Sequence, residues 1–243
     1  MLKIHWWRQT MTMLLVASCL AACSSNPVAP VAAPSLPRPA PPRAALLAVA
    51  EAEWHFFGNQ QIDMRQEPLS APRLGLLEDE GPAVQRIALY WQSVGRDYTG
   101  ADTQQPWSAA FISYLMQTAG VSNADFLRNE AHFNYLSFLK QRQNAPDPLF
   151  VLRPAATEAI APGDLICASR DDNRINTIED IHPGVPGHCD IVFELHAQQG
   201  WAGVIGGNVF NSVSESLIPL AADGRVIPSE RRRWFVVVKN LMP

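Results

Sequence analysis

The sequence predicts an α+β domain, because four helical stretches come first and short strands follow, with one change of pattern at Pro162-Gly163. The strand half is punctuated by Gly-containing turns, the mark of an antiparallel sheet. Of 243 residues 47% are apolar and 17% charged, which suits one globular domain with additional segments and excludes a wholly disordered chain. Net charge is −4, so no basic field gathers nucleic acid.

The first segment reads as an address. Lys3 and Arg8 precede the apolar run Met11 to Ala22, which ends in Leu20-Ala21-Ala22-Cys23 followed by Ser24. A run this short enters the export machinery but falls short of the roughly 20 apolar residues that span a bilayer. The small residues before Cys23 resemble the lipobox of bacterial lipoproteins. That resemblance implies lipidation at Cys23, a cleaved signal over residues 1–23, and membrane attachment by several acyl chains. Ser24 after the cysteine resembles the outer-membrane sorting pattern of Gram-negative lipoproteins, which places the domain in the periplasm. Loss of the signal removes two cations and no anion, moving the net charge from −4 to −6.

Residues 24–43 hold seven of the twenty prolines and no periodicity, the composition of a semi-rigid tether. An N-terminal helical segment follows over residues 44–95. Within it Ala44 to Phe57 is rich in strong helix formers, and Pro82 to Val94 places Val84, Ile87, Ala88 and Trp91 at helical spacing. Gly58, Pro68, Pro72, Gly75 and Gly81 mark the stretch between them as a loop.

Residues 96–243 form the main domain. Pro106 opens a helix whose apolar residues Trp107, Phe111, Ile112, Leu115, Met116 and Ala119 recur at helical intervals until Gly120. Ser108 lies in its first turn, on the buried stripe. A further helix is expected over about Asn129 to Arg142. Strands are expected at Asp164 to Ala168, His188 to Leu195, Trp201 to Gly206, near Val209 to Ser214, and Trp234 to Asn240. Gln199-Gly200, Gly206-Gly207 and Asp223-Gly224 are the expected turns.

Taken in order, Pro106-Trp107-Ser108-Ala109-Ala110-Phe111-Ile112-Ser113-Tyr114, Pro162-Gly163-Asp164-Leu165-Ile166, Gly187-His188-Cys189-Asp190-Ile191-Val192 and Gly206-Gly207-Asn208 resemble the CHAP-type and NlpC-type murein hydrolases, over about 110 residues. The resemblance implies a papain-like fold with N-terminal helices on an antiparallel sheet. It also implies a nucleophile leading a helix, a histidine at the start of a facing strand, and a polar residue one strand later. A helix N-terminus suits a nucleophile, since its partial positive charge and free amides favour a developing oxyanion.

Carried over by position, Ser108 is the nucleophile, where the family has cysteine, and His188 is the base. Asn208 or Asp190 is the orienter. Asp190 shares a strand face with His188, and Asn208 matches the asparagine of a Glu-x-Asn pattern in which Gly206 stands at the glutamate position. Trp107 and His132, the latter beside Phe133 and Tyr135, are candidate lining residues of the substrate groove, with a helix-surface position as the alternative for His132. The resulting expectation is a lipid-anchored hydrolase of peptidoglycan amide bonds that needs no cofactor. Serine in the cysteine position supports the alternative of an inactive relative that binds murein peptide or an envelope protein. A serine hydrolase of another envelope substrate lacks its Gly-x-Ser-x-Gly elbow here.

Cys189 alternates onto the face of Ile191, which reads as core. Cys167 lies on a neighbouring expected strand, so a disulfide between the two is open in an oxidising compartment. Asp171, Asp172, Glu179, Asp180 and His182 fit no metal-ligand spacing and read as a solvated rim. Arg231, Arg232 and Arg233 read as a solvated strand entrance.

Overall fold

The structure, a computed structural model, describes residues 41–66, 69–170 and 175–243. The signal, Cys23 and most of the tether lie outside the described residues, as do Asp171 and Asp172 of the acidic loop. Helices α1 (Arg43–Phe56), α2 (Pro82–Gln92), α3 (Ser108–Thr118) and α4 (His132–Gln141) pack with strands β1 (Gln60–Asp63), β2 (Ser70–Arg73), β3 (Phe150–Pro154), β4 (Leu165–Ser169), β5 (Gly187–His196), β6 (Trp201–Val209), β7 (Ser212–Pro219) and β8 (Trp234–Asn240). The strands form one sheet in the order β2-β1-β7-β6-β5-β4-β8-β3. Its class is α+β.

α1 buries Leu46, Ala50 and Glu53, three positions on one helical face. The buried Glu53 is fully answered: Arg86 of α2 grips both its oxygens at 2.8 Å and the Tyr90 hydroxyl donates to it at 2.6 Å. That buried charge therefore ties α1 to α2 instead of destabilising the interior. α3 is buried on nearly every side, from Ser108 through Met116, because α1 and α2 cover it on one side and the sheet on the other. β6 approaches it so closely that a Cβ on Gly207 would sit 2.5 Å from the Cβ of Phe111. Leu165, Cys167, Cys189, Ile191 and Val236 meet the helices in one core, while Ile166, Val192, Val204 and Val237 form a second cluster, as strand alternation requires.

Three strands depart from the expected set. β1 and β2 occupy the expected loop, and β1 pairs in parallel with β7, so the sheet is mixed where an antiparallel one was expected. The physical reason is that β1, Gln-Gln-Ile-Asp, carries no apolar alternation. Polar cross-strand bonds hold it instead: the buried Gln60 amide donates to Ser214 Oγ at 2.8 Å and to the Val209 carbonyl at 3.2 Å, and Gln61 donates to Glu215 at 2.7 Å. β3 is a short edge strand ending at Pro154. Gly206-Gly207, expected as a turn, runs inside β6, and the strand expected near Val209 to Ser214 is divided by the actual turn at Phe210 and Asn211, both with positive φ. That geometry is the one a tight hairpin favours.

Cys167 and Cys189 face each other across β4 and β5 and are joined as a disulfide, with Cα atoms 4.2 Å apart. The bond closes a separation of 22 residues. Replacing both cysteines by alanine is expected to lower unfolding stability by about 3 kcal/mol through the freed denatured chain, measured as a fall in the denaturant midpoint against the oxidised protein.

Candidate active site

Ser108 opens α3, where first-turn amides have no partner within the helix. Ser113, one and a half turns along, exchanges hydrogen bonds with the backbone of Asn129 at 3.0 Å in both directions, pinning the following chain to α3. The Asn129 side chain then accepts from the Ala131 amide and the Asn134 side chain, which shapes the turn into α4. These bonds bring the first residue of α4 to the first residue of α3. The Ser108 hydroxyl lies 2.6 Å from His132 Nε2, and His132 Nδ1 lies 2.5 Å from the Tyr135 hydroxyl.

His188 occupies a different place in the network. Its Nε2 is 2.6 Å from Asp190 Oδ1 and its Nδ1 is 3.1 Å from a guanidinium nitrogen of Arg170. Arginine can only donate, so Nδ1 is an acceptor and Nε2–H donates to the carboxylate. Both ring nitrogens are thus engaged, and neither is free to take a proton from Ser108. The expectation that His188 faces Ser108 is corrected accordingly: His132 stands against that hydroxyl, and the His188 ring lies behind it with centroids 5.6 Å apart. β5 pairs with β6 only from Ile191 and Ile205 onward, so His188 and Asp190 lie where these two strands have separated.

Of the two expected orienters, Asp190 reaches His188. Asn208 does not: it sits at the irregularity of β6 with φ of 55°, and its side chain makes no hydrogen bond among the described residues. Gly206 has a role that its alignment with the glutamate position conceals. A Cβ there would lie 1.9 Å from Asp190 Oδ1, so the missing side chain leaves the space that the Asp190 carboxylate fills.

Trp107, expected in the groove, is buried among Phe57, Tyr90 and Phe111 and donates its indole N–H to the buried Glu78 at 2.6 Å. Its bulk and apolar ring favour the core over an open face. His132 is buried rather than on a helix surface, and with Ser108, Glu130, Arg170 and Pro186 it lines a cavity of about 150 Å³. A larger cavity of about 630 Å³ lies against Pro154, Pro228, Trp234 and Phe235 and contains none of these groups.

Burial holds the His132 ring well below its ordinary pKa of 6.5, and the charges of Arg170 and Arg232, with that of His188 whenever it is protonated, act in the same direction. Burial also lowers His188, against the opposing pull of Asp190. Burial by itself would raise Asp190, but His188, Arg232 and Arg170 together keep it below the usual carboxylate range. The site therefore holds two neutral imidazoles and a buried carboxylate whose Oδ2 has no hydrogen-bond partner. A neutral His132 with Nε2 against a serine hydroxyl is the arrangement that general-base attack requires.

In the acidic loop, Asp180 accepts from Thr177 and His182 Nδ1 lies 2.9 Å from the Pro183 carbonyl. Among the described residues no three His, Cys, Asp or Glu side chains converge as a metal site. Arg233 pairs with Glu230 at 2.5 Å, whereas Arg232 turns its Nε into a buried position beside the site. Sequence reasoning missed Tyr135 and the contact of His132 with Ser108. The available signal was their i, i+3 spacing at a helix start, which puts both on one face.

No curated protein and no solved structure matches the chain. Residues 78–240, more than half of its length and every group of the Ser108 network, match one bacterial family profile, and the chain belongs to that family, described as "Uncharacterized protein conserved in bacteria (DUF2272)".

Proposed function

We propose that the protein is a lipid-anchored cell-envelope hydrolase of peptidoglycan amide bonds, with Ser108 as nucleophile and His132 as general base and then acid. The observation that carries this reading is the 2.6 Å contact between a helix-leading hydroxyl and a neutral imidazole at the wall of a cavity. In the attack step the Ser108 proton passes to His132 Nε2 as Oγ bonds the carbonyl carbon, and the carbonyl electron pair moves to oxygen. In this reading the amides of the first α3 turn, which have no partner within the helix, receive that oxyanion. Collapse breaks the C–N bond, and His132 returns the proton to the departing amine. Water then hydrolyses the acyl-serine by the same route in reverse.

The envelope location rests on Leu20-Ala21-Ala22-Cys23-Ser24, which implies a lipid anchor in the outer membrane facing the periplasm. Among the described residues no helix is long and apolar enough to cross a membrane. A papain-like relationship to the CHAP and NlpC hydrolases draws support from the helix-leading position of Ser108.

The test is release of new amino groups from purified peptidoglycan. The full chain is expected to release them, and Ser108→Ala to abolish release. No release by the wild type, with retained co-sedimentation with murein, would replace this reading with that of a binding protein.

A further inference from the structure

We propose that Arg170 binds a carboxylate carried by the substrate, so that the amides attacked by Ser108 are those flanked by a residue with a free carboxyl group. The inference rests on the reading of Ser108 as a nucleophile toward peptide amides, and it names which amides are taken. Arg170 and Ser108 line the same cavity of about 150 Å³, whose wall is otherwise built largely from Pro106, Ala131, Val185, Pro186 and Gly187. Glu130, also in the lining, is answered by Arg96, which donates to its two oxygens at 2.6 and 2.5 Å. Arg170 is thus the permanent cation among the described residues that line the cavity. A wall poor in polar groups screens an ion pair less than water does, which strengthens its attraction for an anion.

A buried relay holds the guanidinium in place. Asp190 accepts from His188 Nε2 at 2.6 Å, which leaves Nδ1 as the acceptor that takes an N–H of Arg170 at 3.1 Å. The backbone is fixed as well, since the Arg170 amide donates to the Pro186 carbonyl at 2.8 Å. His188 and Asp190 are buried and take no part in the attack step, and their hold on Arg170 accounts for both. Arginine has five N–H donors, of which this contact uses one. Arg170 has a further interaction within the chain, and its planar fork can keep that contact while offering two parallel N–H bonds to a carboxylate. Pockets that enclose whole ligands measure roughly 300–1,000 Å³. One of about 150 Å³ admits only the residues beside the reacting bond, so the carboxylate that meets Arg170 belongs to a residue directly flanking the scissile amide.

The test is calorimetric titration of the full chain carrying Ser108→Ala, which binds without turnover, with two matched pairs of peptides. Acetyl-Glu-Ala-amide and acetyl-Gln-Ala-amide carry or lack the charge before the scissile bond, and acetyl-Ala-Ala and acetyl-Ala-Ala-amide carry or lack it after. In one pair the carboxylate member is expected to bind roughly 10–10²-fold more tightly, and adding Arg170→Gln is expected to abolish that preference. Equal affinities within both pairs, or no measurable binding of any of the four peptides, overturns the proposal, even if Arg170→Gln does not fold. A preference that survives Arg170→Gln overturns it too, as does a loss of equal size on both members of the pair. Because no bond is broken, the result stands whether or not the wild type releases amino groups from peptidoglycan, so the two readings fail separately.

Discussion

His132→Gln is expected to lower kcat for peptidoglycan hydrolysis by roughly 10⁶-fold, the loss seen when a serine hydrolase is deprived of its base, while KM changes little. The variant keeps the side chain's bulk and polarity but leaves Ser108 without a group that can accept its proton. The wild-type pH profile carries a second part of the expectation. A base works when deprotonated, and burial holds His132 well below 6.5. Activity should therefore persist as pH falls through 6.5 and decline only at more acidic values. An acid limb centred near 6.5 would mean that another, exposed group is the base.

Stability should move the other way over that window. Unfolded histidine binds a proton near its ordinary pKa, whereas buried His132 and His188 do not, since both are lowered in the folded protein. The unfolded state thus gains protons first as pH falls below about 6.5, and each histidine weakens the fold by about 1.4 kcal/mol per pH unit until its folded pKa is reached. Asp190, whose folded pKa is depressed, contributes stability present above its unfolded value and lost only as pH falls through the folded one. Denaturant midpoints at successive pH values, for wild type and His132→Gln, separate the two histidine contributions.

Gly206→Ala is expected to cost about 3–5 kcal/mol of folding stability, the range for leaving a buried charge without its partner. The added Cβ would meet Asp190 Oδ1 at 1.9 Å and Val209 Cγ2 at 3.0 Å, both in the interior. Asp190 has no exposed position to retreat to, so it must leave His188 or push the backbone of β6 aside. The effect should be strongly non-additive: in a double-mutant cycle, Gly206→Ala should cost much less on an Asp190→Ala background, where the obstructing carboxylate is gone. A stability within 1 kcal/mol of wild type for Gly206→Ala alone would show that the close approach is relaxed by other means.

Several elements and part of the site were legible before any coordinates. The α3 periodicity from Trp107 to Ala119 marks a buried helix with Ser108 at its head, and period-two alternation in β5 puts His188 and Asp190 on one face with Cys189 on the other. Gly200 and Gly224 both adopt the left-handed turns that their sequence contexts suggest. β1 escaped because its pairing is built from Gln60 and Gln61 meeting Ser214 and Glu215, and such bonds leave no hydrophobic period to read. Trp107 was misplaced because an aromatic residue beside a nucleophile looks the same in sequence whether it faces a groove or the core.

The sequence by itself determined the four helices, the strands β4, β5 and β8 and most of β6, which of their side chains alternate inward, and that a hydroxyl leads α3. Those are properties of neighbours a few residues apart, governed by helical and strand periods. The partner of that hydroxyl was decided only by tertiary structure. His132 is 24 residues away, and it reaches Ser108 because Ser113 pins Asn129 and because Arg170 and Asp190 occupy both nitrogens of His188. Hydrogen bonds between distant segments depend on ångström distances in three dimensions, and no spacing along the chain encodes which of two histidines will meet the hydroxyl.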